Sequence, residues 1–458
     1  MAEPQAGFGF RFVAPLALGS ALNAVNSSLI ATAMVPIALD LGVAAADTAW
    51  LITSLYLASA VAQPAMGKLA DLFGPRRVLV ASLLVVAASG VLGFVAASLG
   101  MLIVARVLVG IGTSGPYPAA MRMFRDRSDA LGLPPPRQAI AMLTFCALGV
   151  TAVGPLLGGV LTARFGWHAI FAVNLPQALG ALVPVLLWLP PDKARTAPGG
   201  SWGELDGIGL LLFTGSLIAA MLVLMGLPRP DWRAAATALV LGAALGAWSW
   251  RRTAPFLDLR MLARNRPLTL SYLRFGAVMM ICYCMFFGFA QWLQGAGGYT
   301  PQTAGLMTLP MPLLAAFGSL ATARAGSARQ AFAIACGAAL IGSIALSLLD
   351  QDAAPWLLAA AAAPFGLAMG MVPTATQIIL YEQAPADQIG TAAGLQRTFG
   401  YLGSITASGL LALSFGARPS DAGFHTLMAV LGVTSLVVLV AVLLDRTLPE
   451  AAEQMGQG

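Results

Sequence analysis

The chain has 458 residues, of which 58% are hydrophobic and only 10% charged, with a formal net charge of +6. A soluble domain carries about 25% charged residues, so a soluble fold of this composition would expose large apolar patches. The composition excludes ordinary soluble classes and points to a chain solvated by lipid. The net positive charge lies in short loops, which argues against a nucleic-acid partner.

Taken in chain order, apolar blocks of about 20 residues, enough to cross the hydrocarbon core, are expected at 13–36, 48–67, 78–98, 101–121, 138–162, 167–189, 206–227, 233–250, 268–292, 302–321, 331–349, 355–380, 389–414 and 423–444. The blocks do not alternate polar with apolar residues, which argues against a β-barrel. About ten residues precede the first block, and they lack the pattern of a signal peptide. Cys146, Cys282, Cys284 and Cys336 fall inside predicted spans and read as small packing residues rather than disulfide partners.

Loop charge sets the expected orientation. Eighteen of the 25 basic residues, among them Lys68, Arg76, Arg77, Arg122, Arg125 and Arg127, fall in alternate loops that include both ends. Four, Arg164, Arg229, Arg233 and Arg418, fall in the others, and Arg106, Arg274 and Arg397 lie within spans. Cytoplasmic loops carry the excess of Lys and Arg. Both termini are therefore expected in the cytoplasm, which requires an even number of spans.

Six spans end near Pro190-Pro191, and a polar Pro- and Gly-rich linker follows from Asp192 to Ser201. Two spans follow, then a second basic linker from Arg251 to Arg266, then six more spans. The expected architecture is an all-α integral membrane protein of 14 spans, with two six-helix bundles and two extra transmembrane helices between them. Its parts are 1–191, 192–262 and 263–458. The second and tenth spans resemble each other weakly, each ending in a basic turn with glycine. Two like halves describe a common transporter plan with a site at mid-membrane.

The loops are too short for a soluble catalytic domain, and no catalytic constellation is present. No cluster has metal-ligand spacing, and no GxxxxGK[ST] loop is present for ATP. Neither enzyme activity nor a cofactor is expected; transport would draw on a gradient or a partner.

Three motifs carry chemistry. Residues 67–77 read GKLADLFGPRR, so Gly67, Asp71, Gly74, Arg76 and Arg77 form a charged turn suited to holding neighbouring helix ends together. Residues 106–112 read RVLVGIG; an arginine inside a span costs about 2.5–3.5 kcal/mol on insertion scales and therefore faces a cavity or a partner. Residues 149–159 read GVTAVGPLLGG, where Pro155 bends the fifth span and Gly149, Gly154, Gly158 and Gly159 let a neighbour approach. Each motif alone also fits ordinary helix packing or a positive-inside turn.

Together and in this order, the three motifs resemble those of the major facilitator superfamily, and within it the fourteen-helix drug–proton antiporter branch. WHAIFAVNLP at 167–176 resembles that branch's sixth helix, and GLQR at 394–397 through Gly403-Ser404 resembles its thirteenth. The resemblance implies the major facilitator fold, a cell-membrane location, and export of amphipathic small molecules by alternating access. It also implies a cavity lined by spans one, four, nine and twelve. The candidate cavity residues are Asn23, Asn26, Ser27, Arg106, Tyr117, Met279, Tyr283, Gln291, Trp292, Thr376 and Gln377. This mixture suits a neutral, amphipathic or weakly anionic substrate. Expected partners are that small molecule, membrane lipids and, as a candidate coupling ion, protons. The chain is expected to be a monomer.

Two departures matter. Asn26 stands where the branch usually carries Asp, and no Asp or Glu lies in the middle of any predicted span. Leu72 stands where a basic residue is common. Neutral Asn does not bind and release protons, so coupling falls to Arg106, Glu204, Asp206, Glu382 or Arg397. Two alternatives stay open: export or flipping of a lipid or natural product without conventional proton coupling, and a non-transporting membrane receptor or scaffold.

Overall fold

The computed structural model describes residues 7–30, 33–43, 48, 50–133, 137–192, 206–225, 231–253, 255–325, 327–416, 419–445 and 448. Glu204 lies outside the described residues, as do Lys193, Arg195, Arg229, Arg418 and Arg446. Among the described residues every regular element is helical. Among the described residues ten helical stretches are long and apolar enough to cross a membrane. Helices also stand at the four other expected spans, at 50–73, 137–165, 207–225 and 232–251.

The chain divides into two compact units. The first holds α1 (Phe10–Leu29), α2 (Met34–Leu41), α3 (Trp50–Phe73), α4 (Pro75–Phe94), α5 (Leu99–Thr113), α6 (Pro116–Leu131), α7 (Arg137–Phe165), α8 (His168–Ala172) and α9 (Asn174–Trp188). The second holds α10 (Gly207–Met225), α11 (Trp232–Arg251), α12 (Leu259–Arg264), α13 (Arg266–Gly295), α14 (Pro301–Thr308), α15 (Pro310–Ala325), α16 (Ala328–Ser347), α17 (Pro355–Ala362) and α18 (Pro364–Gln383). Of α19 (Ile389–Phe415), residues through Thr398 belong to the first unit and the rest to the second, which ends with α20 (Asp421–Leu444).

Several expected spans are broken helices, and proline explains most breaks. The block 302–321 is split before Pro310 and the block 355–380 before Pro364. A proline has no N–H to continue the helix, and it disfavours helical backbone in the residue before it. In block 167–189, α8 gives way to α9 at Val173, just ahead of Pro176.

Lipid is as apolar as leucine, so close packing and polar contacts must hold such helices together. In the first unit α5 packs on both α3 and α4. Its glycines allow this: a methyl on Gly110 would stand 2.7 Å from the Leu55 carbonyl, and one on Gly112 would stand 2.9 Å from that of Ser82. In the second unit α13, α15, α16, α18 and α20 enclose a core rich in Phe, Met and Ala, with Cys282, Cys284 and Cys336 buried in it as free thiols.

Candidate functional site

The polar side chains of the first unit gather into three clusters. The first is centred on Arg106, midway along α5 and 1% exposed. Its Nε donates to the Leu51 carbonyl at 2.8 Å and its Nη1 to the Asn26 carbonyl at 3.3 Å. The guanidinium thus ties α5 to the first turn of α3 and to the last turn of α1, and at the latter the orphan carbonyls favour a cation. Tyr56 stands against Ser27 and within electrostatic reach of Arg106.

Asn26 is buried and bonded through Nδ2 to the Leu22 carbonyl at 3.0 Å and to Asn174 Oδ1 at 2.7 Å. The position of the missing acid is therefore filled by a neutral amide pair joining α1 to α9. One turn away, Asn23 donates to Thr113 Oγ1 at 2.9 Å and Ser59 Oγ at 3.3 Å.

The second cluster is built on the charged turn between α3 and α4, and it uses two carboxylates as remote helix caps. Asp71, 6% exposed, accepts from the Gly390 N–H at 3.0 Å and from the Thr391 N–H and hydroxyl at 2.8 Å each. These residues open α19, whose first N–H groups have no partner within the helix. Arg122 adds an ion pair to Asp71 at 3.5 Å and donates to the Ala386 carbonyl at 2.9 Å. Gly67 makes the approach possible, because a methyl there would overlap the Gly390 carbonyl. Asp71 lies beyond the apolar stretch 48–67, and burial pushes its carboxyl up to about 6 despite the lowering by Thr391, Arg122 and Gly390.

The other carboxylate is Asp192, just past α9. It accepts from the backbone N–H groups of Arg76 and Arg77, both at 2.9 Å, and so caps α4. Gly74 has φ 102°, a backbone that favours glycine. A Cβ there would stand 2.5 Å from the Asp192 carboxyl carbon. Arg76 also donates to the Leu186 carbonyl at 2.9 Å. Asp71 and Arg76, read from sequence as one latch, thus sit in two separate contacts.

The third cluster joins α6 to the start of α19. The buried Tyr117 hydroxyl donates to Gln396 Oε1 at 2.7 Å, and the Arg397 guanidinium lies over the Tyr117 ring, 4.2 Å from its centre.

The chain belongs to the Major Facilitator Superfamily, whose family model matches residues 16–408. Its relatives include an uncharacterized transporter of this superfamily, YwoD of Bacillus subtilis, 32% identical over 94% of this chain and 96% of that one. The tetracenomycin C resistance and export protein of Streptomyces glaucescens is 27% identical over 89% of this chain and 76% of that one. The multidrug efflux pump LfrA of Mycolicibacterium smegmatis is 28% identical over 88% of this chain and 80% of that one. The solved structure of the human organic anion transporter MFSD10 shares the fold with a TM-score of 0.65 at 18% identity, over 93% of this chain and 99% of that one. The chain is thus a multi-pass membrane transporter and not an enzyme.

The remaining candidates divide between contact and open space. In α7, which packs on α1, a methyl on Gly154 would overlap the Ser28 hydroxyl, whereas Gly149 and Gly159 have nothing within 4 Å of such a methyl. Gly158 is buried, and the side chain of Pro155 lies outside the described residues. In the second unit Met279, Thr376 and Gln377 are buried. Trp292 donates to Asp421 Oδ1 at 2.8 Å and stacks on Phe424 at 4.1 Å. Tyr283 is half-buried against Phe287, and Gln291 is exposed. Asp206 is buried with φ 51°, and Glu382 is exposed. Sequence reasoning missed Tyr56, Asp192, Thr391 and Gln396 as partners; Asn174 entered only as part of the motif at 167–176, with no role of its own.

Proposed function

We propose that this chain is a secondary active exporter of amphipathic small molecules that works by alternating access. In this reading it crosses the cell membrane fourteen times as a monomer, with both termini in the cytoplasm and the parts 1–191, 192–262 and 263–458. The observation that carries it is the Asp71 cap on α19. A buried carboxylate held by backbone donors at a helix start is a contact that can be made and broken, which a two-state carrier needs. Gly67, Gly74, Arg76 and Arg77 shape the same turn. Arg106 fixes α1, α3 and α5 around the polar seam of Asn23, Asn26 and Ser27. The export role of the Streptomyces glaucescens relative supports the direction.

The test is efflux of amphipathic dyes from cells carrying wild type, Asp71→Asn or Arg106→Ala. Both variants should lose most of the dye export. Unchanged export in both would overturn these roles.

A second reading, export without conventional proton coupling, is favoured by the Asn26–Asn174 amide pair in place of an acid. Proteoliposomes with a pH-sensitive dye inside separate the two. Proton movement that scales with substrate movement identifies antiport, and substrate movement without it supports the second reading.

A further inference from the structure

Three arginines fall within the apolar blocks rather than at their edges, and their partners differ. Arg106 gives its donors to two carbonyls. Arg274 is buried in an ion pair with Asp445 at 2.6 Å. Among the described residues Arg397 has neither kind of partner. Among the described residues its guanidinium holds only the face of Tyr117, 4.2 Å from the ring centre. That ring does not turn freely, because its hydroxyl is bonded at 2.7 Å to Gln396, which is fully buried. The next residue, Thr398, is tied to the Ala60 carbonyl at 3.2 Å. The segment carrying Arg397 is therefore held on both sides, while Arg397 itself is only half-buried.

Eight residues at about 1.5 Å each place Arg397 about 12 Å from the start of α19, inside the apolar block. A π face attracts a cation, but it accepts none of the guanidinium's planar N–H fork in the plane where a carboxylate or phosphate binds. That fork matches an oxyanion in two-point geometry. A half-buried cation seated on a ring, with no carboxylate and no hydrogen-bond acceptor beside it among the described residues, is a receptor for a ligand anion. The absence of any acid in the middle of a predicted span points the same way.

We propose that Arg397, seated on Tyr117 and set in place by Gln396, binds the anionic group of the transported molecule, so that the substrates are amphipathic organic anions. This deepens the exporter reading above and rests on it.

The test uses three probes with one fluorophore: dansylglycine as the anion, dansylamide as the neutral form and dansylcholine as the cation. Binding to the purified full-length protein and flux in proteoliposomes are measured for wild type, Arg397→Gln and Arg397→Lys. Wild type should bind dansylglycine at least tenfold more tightly than dansylcholine. Arg397→Gln should lose that preference while keeping its affinity for dansylamide, and Arg397→Lys should retain most of it. Equal loss for all three probes in Arg397→Gln, or a wild-type preference for dansylcholine, overturns the proposal. Anion-selective binding with no flux of any probe would uphold the Arg397 assignment and overturn the exporter reading instead.

Discussion

Single residues in this transporter divide by what a substituted atom would meet. Gly67 and Gly149 both belong to glycine-bearing motifs, yet a methyl on the first overlaps the Gly390 carbonyl and a methyl on the second meets nothing within 4 Å. Alanine favours a helix over glycine by about 0.8–1.0 kcal/mol. Gly149→Ala should therefore match or slightly exceed wild-type thermal stability, whereas Gly67→Ala should disrupt the Asp71 cap and reduce transport. Equal stability and transport in both variants would contradict the crossing of α3 with the start of α19. Arg106 offers a second contrast. Lysine keeps the charge but not the fork that reaches Leu51 and Asn26 together. Hydrogen bonds to charged groups contribute about 1.5–3 kcal/mol, so Arg106→Lys should unfold at a measurably lower temperature, with a loss of that order.

At the scale of elements, the two carboxylate caps give separate handles. Loss of a cap costs about 0.5–2 kcal/mol, and Asp192→Ala should cost that much by freeing the start of α4. Asp71 adds a pH dependence. Its carboxyl rises to about 6 because burial penalises the charged form. A raised carboxyl contributes stability that is present below its ordinary value of 3.8 and lost as pH rises through about 6. The difference in melting temperature between wild type and Asp71→Asn should shift against wild type across that window and be flat above it. A difference independent of pH from 4 to 7 would contradict the buried carboxyl.

The elements also show what was legible in the sequence. Apolar blocks are visible because lipid demands about 20 such residues in a row, and Arg106 is visible as a charge inside one. Breaks at Pro310 and Pro364 carry a local signal, since proline acts on its own turn. The caps carry none. Asp192 stands 116 positions from Arg76, and Asp71 stands 320 from Thr391. Pairings so distant depend on how helices pack, and nothing local in either acid marks its partner. The same holds for Gln396 beneath Tyr117, 279 positions away.

At the scale of the whole molecule, the positive-inside bias makes a prediction about sidedness. Reporter domains fused at the N-terminus, after residue 191 and at the C-terminus should all read the cytoplasm, because zero, six and fourteen crossings are even numbers. An outside signal from any one of them would remove the six-two-six reading. The division into units does not follow the order of the chain, since residues 384–398 belong with the first unit. A protein expressed only to residue 206 therefore lacks the donors that Asp71 caps.

The Asp192 cap has a consequence in time. Synthesis runs at about 5–20 residues per second, so α4 emerges roughly 6–23 s before the carboxylate that caps it, 116 positions later. During that interval the Arg76 and Arg77 amides must find water or a lipid headgroup. The newborn α4 is thus a provisional helix, completed when Asp192, just past α9, arrives. A ribosome stalled short of residue 192 should leave the loop after α3 open to protease, and one stalled past α9's exit should leave it closed.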